Sequence, residues 1–227
     1  QRQMCIRDRC YYSYRYPEES IATVEILNRA GIKVAYLYDN EWCCGLPLYI
    51  NGSITIAEKI MSHNVEALKR SGAKRVITSC AGCYHALKTI YKEVLGELPF
   101  EVLHISEVIA DLLDSGKITL KGKITKKVTY HDPCHLGRYE NVFDPPRKII
   151  KSIPGISFVE MLRNREHAWC CGGGTSVYAA FPDFSKKIAL TRVKEAKEAG
   201  AEAIVTGCPL CVAVLRTAAR KEGIEVY

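Results

Sequence analysis

The stretch AKRVITSCAGCYHALKT at residues 73–89 returns, with substitutions, as AEAIVTGCPLCVAVLRT at residues 201–217. Ala73/Ala201, Thr78/Thr206, Cys80/Cys208, Cys83/Cys211, Leu87/Leu215 and Thr89/Thr217 coincide at an offset of 128. Outward from this pair, Trp42-Cys43-Cys44-Gly45 matches Trp169-Cys170-Cys171-Gly172 at an offset of 127, and Cys10 matches Cys134 at 124. Small drifts in offset mark loop insertions between duplicated units.

Each half alternates strand and helix. In the first, Pro17 opens a helix over Glu18–Ala30 that Gly31 ends. A strand at Ile32–Tyr38, a helix at Ile54–Ser71 and a buried strand at Arg75–Ser79 follow, then a helix from Cys80 through Tyr91 and a strand–helix pair at Phe100–His104 and Ser106–Leu113. The second half repeats the order with strands at Lys127–His131, Phe158–Met161, Ala203–Thr206 and Ile224–Tyr227, and helices at Pro146–Ile153, Pro182–Ala199 and Cys211–Lys221. Such alternation predicts α/β units around parallel strands.

The sequence divides into a first repeat at 10–116, a Lys- and Gly-rich linker at 117–127 and a second repeat at 128–227. Residues 1–9 are polar and poor in strand formers, and are read as a non-native leader outside the fold. Cys5 lies in that leader and has no partner in the second half. The second repeat stops at Tyr227, before any helix matching Ser106–Leu113, so it is expected to be truncated.

The formal charge of +7 counts every cysteine as neutral and falls away once thiolates bind metal, so it is weak support for nucleic-acid binding. Without a Lys/Arg block interleaved with aromatics, no nucleic-acid partner is expected. His, Lys and Arg interrupt every apolar run, so the chain has no membrane span of its own. A cytoplasmic location is expected, with any membrane association made through a partner subunit. Eleven cysteines in such a chain point to metal or redox chemistry rather than a disulfide framework.

Two five-cysteine arrays emerge: Cys10, Cys43, Cys44, Cys80 and Cys83, then Cys134, Cys170, Cys171, Cys208 and Cys211. Their internal gaps are 32 and 35 residues in the first and 35 and 36 in the second. Each C-x-x-C follows a strand and opens a helix, which aims N-terminal amides at the thiolates. A single C-x-x-C suits zinc or a thioredoxin-like pair equally well. The adjacent Cys-Cys-Gly discriminates, because neighbouring thiolates suit a multi-iron cluster while structural zinc leaves a fifth ligand unexplained. A zinc-stabilised binding module is the competing reading.

The order Cys, Cys-Cys-Gly, C-x-x-C, present twice over residues 10–227, resembles the cysteine-rich CCG domain family. That domain occurs in the B-type and D-type subunits of heterodisulfide reductase and in iron–sulfur subunits of glycolate, lactate and anaerobic glycerol-3-phosphate oxidoreductases. YHDPCHLGR (130–138), DPPRKII (144–150), IPGISFVEM (153–161) and CCGGG (170–174) look most like the D-type heterodisulfide reductase subunits and related reductases.

The resemblance implies two tandem Rossmann-like α/β repeats in a pseudo-twofold relation, with cluster sites near their interface. It implies one non-cubane 4Fe–4S cluster on each array, with all ten cysteines as ligands, and cleavage of a small-molecule disulfide or related thiol substrate by one-electron steps. An alternative from the same likeness is an electron-relay subunit of a glycolate, lactate or glycerol-3-phosphate dehydrogenase complex. The chain has no C-x-x-C-x-x-C-x-x-x-C-P run. Electrons would therefore come from a preceding segment or from a separate subunit, whether ferredoxin-like, a flavoprotein or a membrane quinone/cytochrome subunit.

Around Cys134, His131, His135 and Arg138 could hydrogen-bond cluster sulfur or serve turnover as proton and charge donors; His135 and Arg138 are the catalytic candidates. Arg15 holds the matching loop of the first half. His131-Asp132 has no activated Ser beside it and is discounted as part of a hydrolytic triad. Gly172-Gly173-Gly174 lacks the Lys-Ser/Thr of a Walker site and is read as letting backbone approach a cluster. Trp42 and Trp169 are expected to shield the clusters from water. With more donors and less bulk than the first half, which has Leu46 and Pro47, the second site is expected to be the more open to substrate.

Overall fold

The computed structural model describes residues 4–174 and 176–227. Its chain divides into two compact units, one ending at Val108 and the next starting at Ile109.

The first unit runs β1 (Met4–Ile6), α1 (Pro17–Arg29), β2 (Val34–Tyr36), α2 (Leu46–Ile50), α3 (Ile54–Arg70), β3 (Arg75–Thr78), α4 (Ala81–His85), α5 (Tyr91–Leu95) and β4 (Glu101–His104). A π turn at Ala86–Ile90 joins α4 to α5, giving one continuous helical segment. Pro17 pre-sets the first turn of α1, Glu18 and Glu19 face its amide end, and Gly31 at φ +75° closes it. Along α3, Ala57, Met61, Val65 and Leu68 recur on one face and are buried, which fixes this helix to the core. All strands are parallel, in the order β2-β1-β3-β4. Val76, Ile77, Leu27, Met61 and Leu68 are fully enclosed, and each such side chain contributes roughly 1.5–3 kcal/mol by leaving water.

Helix α6 (Ile105–Asp114) spans the division between the units. The second unit continues with β5 (Lys126–Tyr130), α7 (Asp144–Ser152), β6 (Ile156–Phe158), α8 (Val177–Ala180), α9 (Pro182–Glu198), β7 (Ala203–Val205), α10 (Pro209–Ala219) and β8 (Glu225–Val226). Its sheet is again parallel, ordered β6-β5-β7-β8. Val128 and Tyr130 of β5, Ala203 of β7 and Ile150 of α7 form a buried cluster. Among the described residues no helix is long and apolar enough to cross a membrane.

The α/β class and the alternating order agree with the sequence reading, which has no counterpart for the short helices α2 and α8 and sets a strand at Phe158–Met161 where β6 runs Ile156–Phe158. The leader does not agree. Residues 1–3 lie outside the described residues, but Met4–Ile6 form a central strand paired to β2 on one side and β3 on the other. Three residues are too few for a periodic signal, and the polar Arg7 and Asp8 that follow disguise them. Registers reveal the kinship: Met4 pairs with Arg75 as Val128 pairs with Ala203. The repeat therefore extends back from Cys10 to Met4 at the same offset of 124. The division at Val108/Ile109 also falls earlier than the expected linker at 117–127. Downstream links explain this, since Asp114 pairs with Lys148 and the Ile124 amide donates to Pro154 at 2.9 Å.

Candidate metal centres

In both units the first cysteine and the C-x-x-C follow strands, and the Cys-Cys pair lies in a loop. Cys10 lies in a tight turn after β1, Cys43 and Cys44 precede the left-handed Gly45 that caps α2, Cys80 caps α4 and Cys83 lies in its first turn. The thiols are electrostatically coupled in a chain, Cys10 to Cys43, Cys43 to Cys44, Cys44 to Cys83 and Cys83 to Cys80. Five residues scattered over 74 positions thus form one continuous sulfur array.

The second unit repeats that order through Cys134, Cys170, Cys171, Cys211 and Cys208. Cys211 Sγ is 3.1 Å from Cys171 Sγ. The Gly172 and Gly173 amides donate to Cys170 and Cys171 sulfur, each at 3.3 Å.

Electrostatics admits little negative charge without a cation. Cys43 is drawn down to about 2, first by hydrogen bonding from Cys10, then from Cys44, with help from the Gly45 amide and Arg7. Cys10 and Cys44 are raised, chiefly by Cys43. Cys83 is pulled down by Cys44 but raised on balance by Cys80 and burial. Cys170 is likewise lowered by Cys134 and Cys171, while Cys134 and Cys171 are raised by Cys170, and Cys211 by Cys171 and Cys208. Mutual repulsion keeps the neighbours of one thiolate protonated. Holding all five as thiolates requires metal charge.

The surroundings fit an iron–sulfur cluster. Five soft donors exceed a tetrahedral zinc set. Buried nitrogens also lack partners among the described residues: Arg7 Nε, Arg192 Nε and Nη2, and both ring nitrogens of His131. Cluster sulfur supplies such groups with an acceptor where water is excluded. A ring nitrogen of His131 lies within 4.8 Å of the Cys171 and Cys211 sulfurs. Burial, followed by the Arg192 charge, lowers its pKa to about 4.

Of the two catalytic candidates, His135 is half-buried and tilts against Tyr139, its ring centroid 5.4 Å away. Arg138 is exposed, and its Nη2 donates to Ala168 O at 2.6 Å, so it ties the Cys134 loop to the Cys170 turn. His131 is the histidine brought to the sulfurs. Arg15 is exposed. Asp132 accepts two hydrogen bonds from Arg147, at 2.7 and 2.8 Å, and one from the Arg165 amide at 2.8 Å; its carboxylate is thus engaged away from His131.

Two expectations change. Cys10 is exposed and Cys80 half-buried, whereas Cys134 is half-buried and Cys208 buried, so the second array is the more enclosed. Trp42 and Trp169 are each 45% exposed; one stacks on His63 at 3.7 Å and the other lies under Arg163 at 3.7 Å, so neither is a sealed cover. Gly172 is required by its φ of +84° and by packing, because a Cβ there would meet the Ser185 carbonyl at 2.5 Å. Arg7 and Arg192 escaped the sequence reading. Arg7 lay in the excluded leader, although alignment with His131 at the repeat offset would have found it; nothing in sequence marks Arg192, which is buried on α9.

Two α/β units with parallel sheets, each bringing Cys, Cys-Cys-Gly and C-x-x-C into one array, define a duplicated cysteine-rich architecture. The chain belongs to the cysteine-rich (CCG) domain family, whose profile matches residues 6–88 and again 128–216. It is 45% identical over 206 residues to the D-type subunit of dihydromethanophenazine:CoB–CoM heterodisulfide reductase from Methanosarcina barkeri, covering 89% of this chain and 50% of that protein. Similarity extends to the B-type subunit of fumarate reductase (CoM/CoB) from Methanothermobacter marburgensis, 36% identical over 95% of this chain and 42% of that one. It reaches also the EtfAB:quinone oxidoreductase of Syntrophomonas wolfei, 33% identical over 94% and 31%. The chain thus spans half or less of these curated relatives. A solved Helicobacter pylori structure, described as a hypothetical protein, shares the fold with a TM-score of 0.63 at 9% identity, covering 97% of this chain and 45% of that one.

Proposed function

We propose that this chain is the iron–sulfur part of an oxidoreductase that reduces a disulfide or related sulfur substrate, each five-cysteine array holding one non-cubane 4Fe–4S cluster. The supporting observation is the coupled five-thiol array, formed twice, with the Gly172 and Gly173 amides donating to sulfur in the second and His131 beside it. Likeness to the D-type heterodisulfide reductase subunit supports the substrate class.

Bound clusters would supply single electrons. Splitting R–S–S–R′ consumes two electrons and two protons, breaks the S–S bond and leaves two thiols. Cys10, Cys43, Cys44, Cys80 and Cys83 would hold the first cluster, and Cys134, Cys170, Cys171, Cys208 and Cys211 the second. Gly172 and Gly173 amides offset thiolate charge at Cys170 and Cys171. Arg138 acts as a positioning residue through the Ala168 carbonyl. His135, partly open to solvent beside Cys134, is the candidate proton donor. Electrons would enter from a separate ferredoxin-like, flavoprotein or membrane quinone/cytochrome subunit, the chain itself working on the cytoplasmic side.

The test compares reduction of the anaerobically loaded protein by an artificial donor with turnover of a disulfide. His135→Ala is expected to leave donor-driven reduction and iron content unchanged and to slow disulfide turnover about tenfold or more. Wild-type turnover in this variant would contradict the assignment. The relay reading has its own support in likeness to an EtfAB:quinone oxidoreductase. Wild-type protein that accepts electrons from a flavoprotein yet turns over no disulfide would favour it.

A further inference from the structure

The Cys43–Cys44 arm of the first array is gripped from helix α3. Asn64, fully buried on that helix, meets the chain on both sides: its Oδ1 accepts the Trp42 N–H at 3.1 Å and its Nδ2 donates to Cys43 O at 2.8 Å. Nδ2 also donates to the Tyr91 hydroxyl oxygen at 3.0 Å. The neighbouring His63 stacks on the Trp42 ring at 3.7 Å and donates from Nε2 to Asn40 O at 3.0 Å. Two adjacent residues of one helix thus hold the chain from Asn40 to Cys43.

We infer that Asn64 is a positioning residue for the first cluster, its carboxamide fixing the peptide that joins Cys43 to Cys44 and so the directions in which both sulfurs point. This rests on the cluster reading above. Cys43 O belongs to the planar peptide unit between the two cysteines, so anchoring it sets the rotation of one ligand relative to the other. The two backbone partners demand a carboxamide. An N–H needs an acceptor and a carbonyl needs a donor, and Asn offers both from one short, planar group. Because these bonds lie within the chain, the arm is set before metal arrives, and the metal has less chain to order.

The device belongs to one unit. Helices α3 and α9 correspond at an offset of 128, Ile54 with Pro182, which sets Arg192 in the place of Asn64. Arg192 is equally buried, but a guanidinium has no acceptor and cannot receive the N–H of Trp169, the counterpart of Trp42. Its Nη1 donates instead to Arg163 O at 3.0 Å. The Cys170 turn takes support from Arg138 Nη2 on Ala168 O and from Ser185 Oγ on Gly172 O, at 2.6 and 2.7 Å. Loss of the Asn64 carboxamide is therefore felt at the first array alone.

The experiment measures iron retention against a chelator, and EPR, on the anaerobically iron-loaded protein. The signal lost in Cys43→Ser and kept in Cys170→Ser reports the first array. Asn64→Leu, similar in size but without hydrogen bonds, is expected to hold first-array iron about ten- to a hundredfold more weakly and to change the shape of that signal. Asn64→Gln, which carries the same donor and acceptor, is expected to retain more of it than Asn64→Leu. Tyr91→Phe removes a buried hydrogen-bond partner but keeps both backbone contacts, and is expected to match wild type. The second-array signal stays unchanged in all three. Should Asn64→Leu fail to fold, Asn64→Ser, which gives up the same two contacts with a small polar side chain, decides in its place. Wild-type iron affinity and signal shape in these Asn64 variants overturn the inference. So does an equal loss in Tyr91→Phe or from both arrays, which a general loosening of the fold would produce. Wild-type protein without iron would instead overturn the cluster reading on which it rests.

Discussion

Cys171 and Cys211 stand 40 residues apart in sequence, yet their sulfurs are 3.1 Å apart. One precedes the left-handed turn at Gly172 and the other occupies the first turn of α10, so the Cys-Cys pair and the C-x-x-C are parts of a single site. Cys171→Ser should therefore remove about half of the bound iron, one cluster of two, and leave the other signal intact.

Cys5 differs from the ten array cysteines. It is enclosed in β1, its thiol pushed up to about 12 mainly by burial, and its only described hydrogen bond goes to Ile6 O at 3.6 Å. Cys5→Ser should keep full iron content while costing about 1–2 kcal/mol of stability, because a more polar hydroxyl replaces a buried thiol. Iron analysis and thermal melting check both statements; iron loss equal to that of Cys171→Ser would contradict them.

Asp132 and Arg147 hold the start of the second site together. Both are buried, and Arg147 Nε also donates to Glu160 at 2.7 Å. Arg147→Met removes the counter-charge and leaves the Asp132 carboxylate enclosed, which should cost about 3–5 kcal/mol. Asp132→Asn with Arg147→Met, which removes both charges of the buried pair, should recover part of that loss in denaturant melts. A double variant as unstable as Arg147→Met would show that packing around Arg147, and not the charge, sets the cost.

Much of this was legible in the sequence because the repeat shows each feature twice. Cys80 and Cys208 lie between a strand and a helix, as the pattern RVITSC and AIVTGC dictates, and the long helices α1, α3 and α9 differ from expectation by at most one residue at their ends. The misses share one cause: they depend on contacts between distant residues. Strand β1 is held by partners at Val34–Tyr36 and Arg75–Ile77, which no local periodicity reveals. The glycine at 172 answers to Ser185 on another helix. Sequence adjacency made His135 and Arg138 stand out beside Cys134, but strand geometry carries His131 to the sulfurs and sends Arg138 to Ala168 O.

His131 makes the metal-free protein acid-sensitive. Burial keeps its imidazole neutral in the folded chain down to about pH 4, against 6.5 for the ordinary group. Below pH 6.5 the unfolded chain takes up a proton that the folded chain refuses, so stability is complete above 6.5 and falls as the pH drops toward 4. The full loss amounts to about 3 kcal/mol. Melting of wild type and His131→Phe at pH 7 and pH 4.5 checks it: the variant should lose less stability between the two. Identical losses would mean that His131 is protonated in the fold.

The most direct test is metal and acid-labile sulfide analysis of the anaerobically produced protein, combined with EPR of oxidised and reduced samples. One four-iron cluster on each array predicts about eight irons per chain, matching sulfide and little zinc. Stoichiometric zinc with no EPR-active cluster signal in either state would contradict it.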